Sequence, residues 1–148
     1  MGDAEILGHL VAINENEIFA AADASKKKVS APVLKYAKML HMEHGKNLAM
    51  TLELGQTIKV TPLETAAVDK LRVEGATHLA QMTPLNGEEF ASAYIEQMVD
   101  GHTKVLGLID KQLLANARNE ELQSHLKETR KSVMHHLEEA KRLQSELK

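Results

Sequence analysis

Hydrophobic residues recur every three or four positions along four long segments of the chain, which is the spacing of an α-helix with one buried face. In the first two segments this face reads Ile6, Leu10, Ile13, Glu17, Ala20, Ala24 and then Val33, Ala37, Leu40, His44, Leu48, Thr51. In the later two it reads Tyr94 or Ile95, Met98, His102, Val105, Ile109 and then Leu122, Leu126, Thr129, Val133, His136, Ala140, Leu143. The pattern predicts four helices that pack these faces toward a shared core.

Capping and helix-breaking residues predict where these helices begin and end. The expected ranges are Asp3 to Lys28 for helix 1, Ala31 to Leu54 for helix 2, Gly87 to Ala117 for helix 3, and Glu120 almost to Lys148 for helix 4. Pro32 is tolerated in a first helical turn, and Gly55 is typical of a helix end. Because the turns after helices 1 and 3 are short, each of these helices and its successor should be antiparallel neighbours.

A fifth, shorter helix is predicted between helices 2 and 3. The segment Thr61-Pro62-Leu63-Glu64 offers a capping threonine, a proline at the first position and a glutamate at the third, and helical spacing continues to Met82. Its roughly 20 residues would span ~30 Å, enough to return the chain along a bundle. We therefore expect an all-α fold, a ferritin-like antiparallel four-helix bundle with an additional helix in the long crossover, forming a single domain over residues 1–148.

Composition narrows the classes of function. The chain has 18 basic and 21 acidic residues and no basic stripe, so we expect no nucleic-acid partner. It has no cysteine, which excludes disulfides, iron–sulfur clusters and thiolate zinc sites. No apolar run approaches the ~20 residues of a transmembrane helix. The chemistry must therefore come from histidines, carboxylates and neutral polar groups.

Each of the four buried faces carries one side chain that can bind a metal: Glu17, His44, His102 and His136. Counting ~1.5 Å per residue from the connecting turns puts all four near the middle of the bundle. Three imidazoles and a carboxylate are ligands typical of zinc, copper or iron, so we predict that these residues bind one transition-metal ion. Neighbours that would orient them by hydrogen bonds are Asn14, His41, Glu43 and Glu139.

Two other interpretations of the four residues stay open. A buried Glu/His hydrogen-bond network can fix a bundle without metal. A di-iron oxidase site is the second alternative, but that site requires Glu-x-x-His on two helices. Helix 2 instead has His41-x-x-His44, and helix 4 has His136-x-x-Glu139.

Several nearby residues have a weaker interpretation. Gly45 and Gly101, which adjoin two of the histidines, predict close helix approach or a kink. The remaining histidines are interpreted as flank or surface residues, namely His9, His78 and His125, with His135 beside the buried face. Thioethers suit copper(I), but methionines at helical spacing are typical of core packing, and this is our interpretation of Met39, Met42, Met98 and Met134.

Short motifs along the chain resemble a known family. They are Asn14-x-x-Glu17-Ile18, Glu43-His44, Phe90-x-x-x-Tyr94 with His102, and His136-Leu137-x-x-Ala140. In this order, from about Glu5 to Leu147, they resemble a bacterial ferritin-like domain of unknown function that is often labelled a predicted outer membrane protein. The resemblance implies a ferritin-like bundle and export to the periplasm through a leader, which we expect to have been removed here.

The resemblance implies no established activity, so function depends on the four buried residues. The hypothesis that we favour is a non-enzymatic exported protein that binds a transition metal for buffering or stress protection. The alternatives are a metal-free structural or interaction module and a divergent ferritin-like oxidoreductase. Oligomeric state and protein partners do not follow from the sequence.

Overall fold

Five α-helices make up the protein in a computed structural model, which describes residues 1–147. They are α1 (Asp3–Ala24), α2 (Ala31–Thr57), α3 (Ala66–Met82), α4 (Gly87–Leu108) and α5 (Glu120–Glu146). A π-helical turn, Ile109–Leu113, and a last turn, Leu114–Asn116, extend α4. Residues 1–147 contain no β-strand, and none of their helices is both long enough and apolar enough to span a membrane. The prediction of an all-helical bundle is confirmed.

Two predicted helix ends are wrong by about one turn. Helix α1 ends at Ala24 rather than Lys28, because the backbone tightens there: the Lys26 and Lys27 N–H groups donate to the carbonyls three residues back, those of Asp23 and Ala24. Helix α2 passes through Gly55 to Thr57. This glycine does not end the helix; it makes room for the returning chain, since a Cβ there would lie 2.8 Å from the Val60 carbonyl oxygen.

The crossover helix α3 begins at Ala66, later than the predicted Thr61. The segment before it is held against α1, where the Leu63 N–H donates to the Ala4 carbonyl at 2.9 Å. The two backbones approach so closely that a Cβ on Gly8 would lie 2.0 Å from the Leu63 oxygen. Since these residues bind to α1, they do not start a helix, and Thr65 provides the cap instead.

Helices α1, α2, α4 and α5 surround the core, and α3 lies along α1 and in the same direction. The Asn16 amide donates to the Leu71 carbonyl at 3.0 Å midway along this pair. Helix α5 begins beside the start of α1, where the Arg118 N–H donates to Asp3 at 2.9 Å. Helix α4 begins at the opposite end, where Asn86 accepts from the Lys28 N–H at 3.1 Å.

The core consists of two apolar clusters, one at each end of the bundle. The cluster near the start of α1 contains Ile6, Leu7, Leu10, Ile109, Leu113, Ala117, Leu122, Leu126 and Val133. The cluster at the other end includes Ala20, Ala24, Val33, Leu40, Phe90, Tyr94, Ile95, Met98, Ala140 and Leu143. On α2, α4 and α5 the buried histidines His44, His102 and His136 lie between the residues of these two clusters. The helical register therefore places a polar layer at mid-height.

Candidate metal centre

Three of the four predicted ligands come together in this polar layer. One ring nitrogen each from His44, His102 and His136 lies within 4.8 Å of the other two. The ring centroids are 5.1 Å apart for His44 and His136, 5.6 Å for His102 and His136, and 5.9 Å for His44 and His102. Each residue is at most 4% exposed. We call these three residues the histidine cluster.

A hydrogen bond fixes the proton on the outer nitrogen of each ring. The His102 Nδ1–H donates to the Met98 carbonyl at 2.7 Å, and a carbonyl can only accept. The His136 Nε2–H donates to the Glu43 carboxylate at 2.9 Å. When a ring is neutral, its remaining nitrogen, Nε2 of His102 or Nδ1 of His136, carries a lone pair.

His44 also carries its proton on the outer nitrogen, because a chain of side-chain amides sets the direction of its hydrogen bond. The Asn14 amide nitrogen donates to Asn47 Oδ1 at 2.8 Å, so its oxygen is free to accept from the His44 Nδ1–H at 2.9 Å. Asn47 in turn donates to Thr129 Oγ1 at 2.9 Å. This chain links α1, α2 and α5 and leaves the Nε2 lone pair of His44 toward the interior.

The three inner nitrogens are buried and have no hydrogen-bond partner in the protein. None of them carries a hydrogen in these tautomers, so none can donate to another. This arrangement is the one found around bound metal ions: three lone pairs share a buried space, and the other nitrogen of each ring donates outward.

Burial keeps two of these rings, His44 and His136, in the form that binds metal. It lowers the pKa of His44 well below its usual value, and positive charge on His102 or His136 would lower it further. Burial also lowers the pKa of His136, with the Glu43 hydrogen bond opposing that shift. His44 and His136 are therefore neutral near pH 7, with a lone pair available.

Glu17 lies near the histidine cluster but outside its 4.8 Å group. Its Oε2 is buried without a hydrogen-bond partner. Burial raises the pKa of the Glu17 carboxyl, and charge on His102 opposes the shift. Burial also raises the pKa of Tyr94, with the Glu17 charge adding to it, and the Tyr94 hydroxyl is likewise buried without a partner. The carboxylate thus stands on the His102 and Tyr94 side.

A cleft of about 480 Å³ between α2 and α5 leads from the surface to the cluster. Leu10 and Ile13 of α1 form part of its wall, and His44 and His136 face it. On the α2 side the lining includes Met42, Lys46 and Met50, which are spaced four residues apart. We call this the α2/α5 cleft; it gives an ion a route to two of the three histidines.

The sequence profile of a family described as a domain of unknown function, DUF4142, matches residues 1–143. The chain belongs to the DUF4142 family. No curated protein and no solved structure matches it. The family description states no activity, so the function of this DUF4142 domain has to be inferred from the histidine cluster and its surroundings.

The predicted orienting residues of the DUF4142 domain divide into two pairs. Asn14 and Glu43 bind His44 and His136 as described above. His41 is exposed on the outer side of α2, and Glu139 pairs with Arg142 at 2.7 Å. The first pair orients the cluster, while the second lies on the surface side of its helices.

Both glycines beside the cluster have open surroundings, so the prediction of close helix approach there is wrong. A Cβ on Gly45 would meet nothing within 4 Å, and one on Gly101 would meet only the Gln97 side chain, at 3.4 Å. The close approaches occur at other glycines: Gly8 and Gly55, where the crossover segment presses on α1 and α2, and Gly75 of α3, which faces Asn16.

Sequence reasoning also misplaced two histidines and missed two polar residues. His125 and His9, predicted at flanks or on the surface, are 8% and 3% exposed. His125 Nε2–H donates to Thr51 Oγ1 at 2.8 Å, since the hydroxyl hydrogen donates to the Asn47 carbonyl. Asn47 and Thr129 were not predicted; the available signal was Asn47's position one turn after His44 and Thr129's place on the buried face of α5.

Proposed function

We propose that this DUF4142 domain binds one transition-metal ion, zinc, copper or iron, through His44, His102 and His136, with Glu17 as a fourth ligand. The observation that supports this most is the set of three inner ring nitrogens, buried together with no donor among them. A cation satisfies all three lone pairs at once, which no hydrogen bond among the three rings can do.

The spacing of the nitrogens suits an ion after a small closure. Metal–nitrogen bonds are ~2.0–2.1 Å, so ligands in a tetrahedral site lie ~3.4 Å apart. One nitrogen from each ring here lies within 4.8 Å of the other two. Side-chain rotations that move each nitrogen by about an ångström would bring the three to bonding distance of one ion. Glu17 would turn its partnerless Oε2 toward that ion.

The alternatives receive less support. A metal-free Glu/His network requires these groups to satisfy one another, yet the three inner nitrogens and Glu17 Oε2 have no partner within the protein. A di-iron oxidase requires bridging carboxylates, and the 4.8 Å group contains histidines alone. We therefore infer a binding protein, with metal buffering or stress protection as its role.

Export to the periplasm and a ferritin-like topology belong to the same proposal and rest on the family resemblance. Cell fractionation of the full-length protein in its native bacterium tests export: we expect it in the periplasmic fraction, and recovery with a cytoplasmic marker would contradict this.

Elemental analysis of protein purified without chelator or affinity tag tests metal binding. We expect about one equivalent of zinc, copper or iron in the wild type and none in His44→Ala/His102→Ala. The matched control is His41→Ala/His135→Ala, which removes two exposed histidines beside the cluster and should retain the metal. Absence of metal from the wild type after loading and desalting, or equal metal in the cluster variant, would overturn the proposal.

A further inference from the structure

The α2/α5 cleft carries two exposed thioethers on its way to the histidine cluster. Met42 is 65% exposed and Met50 is 46% exposed, although methionine is among the residue types most often buried. They are eight residues apart on one side of α2, a rise of ~12 Å. Both line the cleft that His44 and His136 face, so neither fills the core as the sequence pattern suggested for Met42.

The donor set of the cluster suits an ion that accepts three ligands. The 4.8 Å group consists of three imidazoles and contains no carboxylate. Imidazole binds copper as well as zinc and iron. An ion that accepts three-coordinate sites can be held by these three nitrogens before Glu17 is drawn in as the fourth ligand.

We infer that the ion is copper(I) and that Met42 and Met50 pass it along the α2/α5 cleft to the histidine cluster. Thioethers are soft ligands that select copper(I) over harder cations, and imidazole also binds copper. This inference rests on the proposed metal binding and adds the ion and its route. The rise of ~12 Å between them is too long for one ion to bind both thioethers at once, so the two act one after the other along the cleft.

Anaerobic transfer from a copper(I)–bicinchoninate complex tests the route. We expect one copper(I) to move to each wild-type chain, and we expect Met42→Leu/Met50→Leu to reach the same final occupancy at least five-fold more slowly. Leucine matches methionine in size and helix propensity, so the variant should fold normally. Met134→Leu is the matched control, since Met134 is partly buried on α5 and does not line the cleft; its transfer rate should equal that of the wild type.

A parallel titration with zinc separates this inference from the proposed function. Tighter retention of copper(I) than zinc supports the inference. Retention of zinc but not copper(I) would overturn the ion assignment and leave metal binding intact. Binding of neither ion would overturn the proposed function itself. Transfer to Met42→Leu/Met50→Leu as fast as to the wild type would overturn the role of the two methionines.

Discussion

Replacing His102 by leucine should abolish metal binding while leaving the metal-free fold nearly as stable as before. The substitution removes a buried Nε2 that has no partner in the protein, and leaving such a group unsatisfied costs about 1–3 kcal/mol. It also removes the Nδ1–H bond to Met98, worth about 0.5–1.5 kcal/mol. The similar volume of the two side chains keeps the packing cost below about 1.5 kcal/mol.

These contributions nearly cancel, so the free energy of unfolding of metal-free His102→Leu should lie within about 1 kcal/mol of the wild-type value. His125→Leu is the control, because His125 is also buried but its Nε2–H has a partner in Thr51. His125→Leu should therefore only lower the free energy of unfolding, by about 1–3 kcal/mol. The two variants should therefore differ by about 2 kcal/mol, or roughly 4–8 °C in Tm for a chain of this size.

Urea and thermal unfolding, each with chelator and with added zinc or copper(I), measure both effects. The wild type should gain about 2.7 kcal/mol when free metal is a hundred times Kd, and His102→Leu should gain nothing. If metal-free His102→Leu loses as much as His125→Leu or more, the inner nitrogen of His102 belongs to a structural hydrogen-bond network, and our reasoning from its missing partner is refuted.

Three further predictions follow from single contacts. Gly8→Ala should destabilise the protein by about 2 kcal/mol or more, because the new Cβ would clash with the Leu63 carbonyl oxygen. Gly45→Ala, which has open surroundings, should stabilise it by about 0.5–1 kcal/mol. Urea unfolding measures both, and a Gly8→Ala protein more stable than Gly45→Ala would contradict the close approach of Leu63 to α1. Glu43→Gln keeps an acceptor for the His136 ring but loses its charge, so metal affinity should fall about ten-fold in a chelator competition, and an unchanged affinity would show that this bond does not tune the site. As pH falls below ~6.5, His44 takes up a proton in the unfolded chain but not in the folded protein, where burial lowers its pKa. The free energy of unfolding of the metal-free protein should therefore drop, by up to about 1.4 kcal/mol at pH 5.5 from His44 alone. His44→Leu should show a correspondingly shallower dependence of this free energy on pH.

The sequence predicted the fold class and the level of the site because both depend on helical periodicity. Polar residues that interrupt an otherwise apolar face must point into the core with their neighbours. Counting residues from a turn gives height along a helix, since the rise per residue is constant. For this reason the meeting of His44, His102 and His136 could be predicted without knowledge of any contact.

Helix ends were harder to predict from the sequence, because tertiary contacts override local signals. The capping pattern at Thr61 is intact, yet the backbone there donates to α1 instead of starting a helix. Gly55 could be recognised as a helix breaker, but only the returning chain at Val60 explains why a glycine is needed inside the helix.

The sequence alone predicted that four ligand-capable side chains lie on buried helix faces at a common height, since a helix has a fixed pitch, and three of the four, His44, His102 and His136, come together. The tertiary structure decided which nitrogen of each histidine is bare, because this depends on partners from other helices or the preceding turn: Asn14, Glu43 and the Met98 carbonyl. It also decided that a cleft opens between α2 and α5, since the gap between two helices depends on how all the others pack. Periodicity fixes the direction of a side chain, but only packing fixes what that side chain meets.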